Sequence, residues 1–166
     1  MSEAGVSIDE SFPTQRYNEI VNGLDELFQT DIGKQILHDI YENTQGVLIS
    51  PGEEMGSTSR IPGISAEQQI TVNPTKAYGY GRAQFARALS FPADEAAVVL
   101  NSGIGKAKIM AWSLGHEFGH AVYGYADHQQ NPSGLPLNLI RIENPLRMQL
   151  GINVMRVHYK GTLVIP

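Results

Sequence analysis

The residues best placed to do chemistry stand in the stretch SLGHEFGHAVYG, from Ser113 to Gly124, where His116 and His120 bracket Glu117. On an α-helix, residues four apart share a face one turn apart, so two imidazoles can grip one ion. Zinc accepts nitrogen ligands in a tetrahedron and, in catalytic sites, leaves one position to water. Glu117 then addresses that water rather than the ion and can take its proton as a general base. As a bare pattern in a chain with five histidines the motif arises by chance roughly once in a hundred. Two histidines without a metal are therefore the lesser reading.

Two histidines do not hold a catalytic metal alone, and the third ligand has to be sought downstream. A metzincin needs a histidine six residues after the second, where Ala126 stands. A short-spaced aspartate class would have to use Asp127, out of step by one residue. From His128 onward the only acidic side chain is Glu143. Glu143, His128 and His158 remain, and Glu143, on a predicted helix in IRIENPLR, matches the gluzincin arrangement and is favoured. The bland reading makes Glu143 a surface partner of Arg147, a pair worth about 0.3–0.5 kcal/mol when exposed.

Peptide hydrolysis also needs donors for the oxyanion. RVHY supplies Arg156 and Tyr159, three apart, a guanidinium and a phenol of suitable chemistry. In an ordinary strand Arg156 and His158 would face one way and Tyr159 the other, so spacing alone does not decide.

These residues need a scaffold. Ile20, Val21, Leu24, Leu27 and Phe28 repeat at helical spacing, and Thr30 or Asp31 can cap a second helix carrying Ile32, Ile36, Leu37, Ile40 and Tyr41. The pair predicts a helical hairpin. GVLIS reads as a strand ended by Pro51-Gly52, residues 52–68 as a loop, and QITVNP as a strand and turn. The Tyr/Gly alternation of KAYGYG suggests a loop, and residues 94–100 a helical turn or a strand. A long helix is predicted from about Lys106 to Tyr123, with Trp112 in the core. Gly115 and Gly119 cost that helix about 1 kcal/mol each relative to alanine, which implies close packing of another backbone there. Pro145 starts or kinks a later helix, and VMRVHYKGTLVIP is β-prone with a turn at Lys160-Gly161.

The chain has 166 residues, a net charge of −5 and no cysteine. That length gives one domain able to bury a core. The charge offers no reason to expect nucleic acid or an anionic membrane, and the absence of cysteine excludes disulfides and thiolate zinc sites. GIGKA fails as a phosphate loop, since Leu100 and Ala107 stand where glycine and Ser/Thr are required. Residues 1–15 lack the pattern of a Sec signal and read as a flexible tail or a non-cleaved secretion address, with the domain proper at 16–166.

HEFGHAVYG followed by RIENPLRMQLGINVMRVHYKG resembles the NleD-type effector metallopeptidases, delivered by type III secretion, and related toxin domains. The matching residues are His116–Ala121, Glu143-Asn144 with Arg147, Leu150-Gly151, and Arg156 through Tyr159. Pro145 and Gln149 depart from the family pattern. The resemblance implies zinc held by His116, His120 and Glu143, with Glu117 as base and Arg156 and Tyr159 assisting the transition state. It implies an α+β, zincin-like single domain: a helical hairpin, a small sheet, the HExxH helix and a C-terminal helix bearing the glutamate. The expected function is zinc-dependent cleavage of host signalling proteins by a monomeric effector or toxin. Delivery would be by a specialised secretion system into the host cytoplasm, with no nucleic-acid or membrane partner. The alternatives are an inactive zincin-like binding module with a structural metal, closed by His128 or His158, and a housekeeping metallopeptidase of the bacterial cytoplasm.

Overall fold

One hydroxyl joins the first two helices. α1 (Thr14–Gln29) buries Ile20, Leu24 and Leu27, and α2 (Asp31–Glu42) buries Ile36 and Ile40. Between them Thr30 Oγ1 donates to the Leu27 carbonyl at 2.6 Å and accepts the Gly33 N–H at 2.9 Å. It thus adds a second donor to a last-turn carbonyl that already accepts the Thr30 N–H at 3.0 Å, and caps the start of the next helix. Gly33 packs directly on the Leu27 carbonyl, where a Cβ would overlap the backbone. The predicted helical hairpin is present.

The computed structural model describes residues 5–43, 45–54, 56–60, 67–88, 103–127, 136–151, 154–158 and 161–164. The fold is α+β. A four-stranded sheet has the order β1-β2-β4-β3, formed by β1 (Gly5–Ile8), β2 (Gly46–Pro51), β3 (Ser57–Arg60) and β4 (Glu67–Val72). β2 runs parallel to β1 and β4, and β3 runs antiparallel to β4 at the sheet edge. Parallel neighbours require a long crossover, which the helical hairpin supplies between β1 and β2. Val47, Ile49 and Ile70 are buried in the core with the inner residues of α1 and α2.

α3 (Pro74–Ala88) leads to α4 (Gly103–Tyr123), the central helix. Ile109, Met110, Ala111, Trp112, Leu114 and Phe118 of α4 are all buried, as expected for a helix packed on several sides. Gly23 of α1 lets Met110 come close, and Phe28 meets Phe118 at 6.1 Å between ring centres. A π-helical turn (Leu139–Glu143) runs into α5 (Asn144–Gln149), followed by the antiparallel hairpin β5 (Val154–His158) and β6 (Gly161–Val164).

Three expectations change. Gly5–Ile8 forms a strand and Phe12 is buried, so residues 5–15 are not a loose tail. Residues 57–60, expected in a loop, pair with β4. KAYGYG is helical: the Asn73 carboxamide oxygen accepts the Lys76 N–H at 3.2 Å, and Pro74 sits in the first turn, where its missing N–H costs nothing. Residues 94–100, Tyr159 and Lys160 lie outside the described residues. Among the described residues no helix is long and apolar enough to cross a membrane.

Candidate metal centre

The last two turns of α4 carry His116, Glu117 and His120. Gly124 ends the helix in the left-handed region, with φ of 66°, its N–H bonded to the His120 carbonyl at 3.0 Å. The chain folds back over the helix end. There the Tyr125 carbonyl meets His120 Nδ1, and Asp127 comes to lie against both imidazoles. Asp127 Oδ1 is 3.2 Å from His120 Nε2 and 3.6 Å from His116 Nε2, and the two Nε2 atoms are 3.0 Å apart. The cluster His116, His120 and Asp127 could hold a metal ion.

The other ring nitrogens show what the cluster could offer a cation. A carbonyl only accepts, so His120 Nδ1 carries its proton and leaves a lone pair on Nε2. His116 Nδ1 lies 2.7 Å from Glu143 Oε1, and an ionised carboxylate likewise holds the proton on Nδ1. Two nitrogen lone pairs then converge with Asp127 Oδ1, itself buried and without a hydrogen-bond donor among the described residues. Three electron-rich atoms at this spacing repel one another unless a proton or a metal ion sits among them. The His116 imidazole registers the same field. Burial pulls its pKa down, but the Glu143 hydrogen bond and the charges of Glu143, Glu117 and Asp127 bring it above its ordinary value.

Glu143 is almost fully buried, and so is Arg147, whose guanidinium lies 4.9 Å from the Trp112 ring centre. Neither is a surface residue, which removes the exposed-pair reading. The fold brings Glu143 to the site, but onto Nδ1 of His116, the ring nitrogen away from His120 and Asp127. Asp127 stands where a third ligand was sought. The spacing of the short-spaced aspartate class placed it out of step by one residue, yet the helix ends at Tyr123 and the chain turns at Gly124, so its path and not that spacing brings Asp127 to the histidines. An acidic residue just beyond a glycine helix stop was the signal to weigh.

Asn138 also holds His116. Its amide nitrogen donates to the His116 carbonyl at 3.1 Å and lies 3.2 Å from Nδ1. Asn138 and Leu146 fill the spaces left by Gly119 and Gly115 respectively, so close packing is present but through side chains.

Glu117 is buried at the cleft wall. Its Oε1 is 3.9 Å from His116 Nε2, and its Oε2 accepts a hydrogen bond from Thr58 Oγ1 at 2.9 Å. Sequence reasoning missed Thr58 and Gly56. The cleft, of about 830 Å³, is lined by Gln45, Gly56, Thr58, Gln68, Tyr125 and the metal-cluster residues, among others. Tyr125 stacks on Tyr123 at 5.3 Å, and Tyr123 is tied to Asp39 at 2.6 Å. Arg156 and His158 lie on β5, with their side chains outside the description, and His128 and Tyr159 are outside the described residues.

No protein-family model matches the chain, and no curated protein or solved structure matches it.

Proposed function

We propose that this chain is a zinc-dependent endopeptidase of zincin-like fold, with His116 Nε2, His120 Nε2 and Asp127 Oδ1 as the protein ligands and Glu117 as the general base. The observation that carries the reading is the convergence of these three donors beside a buried carboxylate in an open cleft. The donors suit zinc, which takes imidazole and carboxylate at about 2.0–2.2 Å, so that tetrahedral ligand atoms stand about 3.3 Å apart. The separations of 3.0, 3.2 and 3.6 Å bracket that value. Bound zinc supplies Lewis-acid polarisation of a carbonyl and acidifies a water.

The chain does the rest. Glu143 and the Tyr125 carbonyl fix the tautomers and orientation of the two histidines. Glu117 Oε1 faces the cleft beside His116 and takes the proton. β3, the outer strand of the sheet beside the cleft, offers an edge along which an extended peptide can pair. The resemblance to NleD-type effectors adds the substrate class, host signalling proteins met after delivery by a specialised secretion system.

The test has two parts, metal content of the purified chain and a comparison of new protein termini in host lysates exposed to wild type or Glu117→Gln. One equivalent of zinc with termini generated only by wild type is the expected result. Zinc-loaded wild type that generates no new termini sinks the endopeptidase reading and leaves a binding module.

A further inference from the structure

The general base is held from the opposite wall of the cleft. Thr58 belongs to the edge strand β3, yet its hydroxyl reaches Glu117 on the central helix. A hydroxyl has one proton to give. Here the shorter contact is Oε2 of Glu117 at 2.9 Å, against 3.3 Å to the Glu117 carbonyl. The other oxygen, Oε1, occupies space that exists because residue 56 has no side chain: a Cβ on Gly56 would stand 2.6 Å from it. Oε1 is also the oxygen directed toward His116 Nε2, at 3.9 Å.

The terminal torsion of a glutamate is broad and two-fold, so its own rotamer preference does not decide which oxygen faces the reacting water. A fixed donor on one oxygen does decide it. We propose that Thr58 is a positioning residue, whose hydroxyl bond to Glu117 Oε2 presents Oε1 as the proton acceptor. The inference rests on the zinc-hydrolase reading above. Because Thr58 acts through the base and not on a bound peptide, its loss should appear in kcat rather than KM.

The experiment uses the full chain loaded with zinc, as wild type, Thr58→Val, Thr58→Ser and Glu117→Gln. Turnover of a quenched-fluorescent peptide library is followed per bound zinc, and acetohydroxamate affinity is measured by calorimetry. Acetohydroxamate loses its hydroxyl proton on chelating zinc, and a correctly aimed Glu117 receives it. Thr58→Val should keep one zinc, lose about 10- to 100-fold in kcat with little change in KM, and bind acetohydroxamate about tenfold more weakly. Thr58→Ser should restore most of both. A valine variant with wild-type kcat and wild-type acetohydroxamate affinity overturns the proposal, as does a serine variant no better than valine. A bond that merely satisfies a buried carboxylate would lower zinc content or melting temperature and leave turnover per zinc unchanged. Failure of the parent reading looks different, since wild type would then bind no zinc or cleave no peptide. With zinc bound but no cleavage, the acetohydroxamate comparison still decides for or against Thr58.

Discussion

Asp127→Ala and Glu143→Gln should separate a ligand from the group that orients one. A four-ligand zinc site provides about 10–16 kcal/mol of apparent binding free energy, so one protein ligand carries about 3 kcal/mol. Losing Asp127 Oδ1 should then weaken zinc by about a hundredfold or more. Glu143→Gln keeps a carbonyl oxygen able to accept the His116 Nδ1 proton, and outer partners of ligating histidines cost about 10- to 100-fold when lost. The conservative change belongs at the low end of that range. Metal-free stability should move in the opposite order. Asp127 Oδ1 is a buried acceptor with no donor among the described residues, so its removal should leave the melting temperature in EDTA unchanged or higher. Glu143 makes a 2.7 Å bond to His116 from a site with almost no exposure, so its change should lower that melting temperature. Zinc affinity is read by competition with a chromophoric chelator, and stability by thermal melts in EDTA. Wild-type zinc affinity in Asp127→Ala, or a larger loss in Glu143→Gln than in Asp127→Ala, would refute the assignment.

Three further outcomes follow from the same geometry. Glu117→Gln should retain zinc while cleavage falls about 10²- to 10⁴-fold, measured on the peptide library with metal analysis in parallel. Gly119→Ala places a Cβ against Asn138 Oδ1 and 3.2 Å from Ile142 Cγ1. The gain of about 1 kcal/mol in helix propensity is outweighed by about 1–3 kcal/mol of overpacking, so the melting temperature should fall. Thr30→Ala loses the acceptor for Gly33 and the bond to Leu27 and should cost about 1 kcal/mol in denaturant titrations, most of it recovered by Thr30→Ser.

What the sequence made legible was whatever depends on local periodicity. His116, Glu117 and His120 share a face because helical geometry acts over four residues, and the α1–α2 hairpin shows in the spacing of Ile20, Leu24, Leu27, Ile36 and Ile40. Residues 57–60 resisted because a short polar strand becomes a strand only by pairing with β4, a long-range event with no local mark. Thr58 and Gly56 were hidden with it. KAYGYG misled for another reason: its Tyr/Gly alternation reads as a loop, while the start signal Asn73-Pro74 pointed to a helix. Asp127 was discounted because it stands one residue off the spacing of a short-spaced aspartate class, whereas the path of the chain past Gly124 decides what reaches the histidines.

Pro145 marks the deepest difference between motif and geometry. Its absent N–H cannot serve the Arg141 carbonyl four residues back, and its ring crowds that carbonyl in a regular α-helix. Just before it the chain widens into the π-turn Leu139–Glu143, and the Asn144 N–H bonds the Leu139 carbonyl five residues back. On an α-helix Asn138 and Glu143, five apart, would point about 140° from each other. The five-residue spacing of a π-turn brings them onto one side. Both then reach the same imidazole, Glu143 at 2.7 Å and Asn138 at 3.2 Å from His116 Nδ1. The proline that interrupts the expected E-N-x-x-R helix is thus compatible with the site because the backbone adapts ahead of it. That adaptation spends Glu143 on orienting a histidine and leaves the third ligand position, in our assignment, to Asp127.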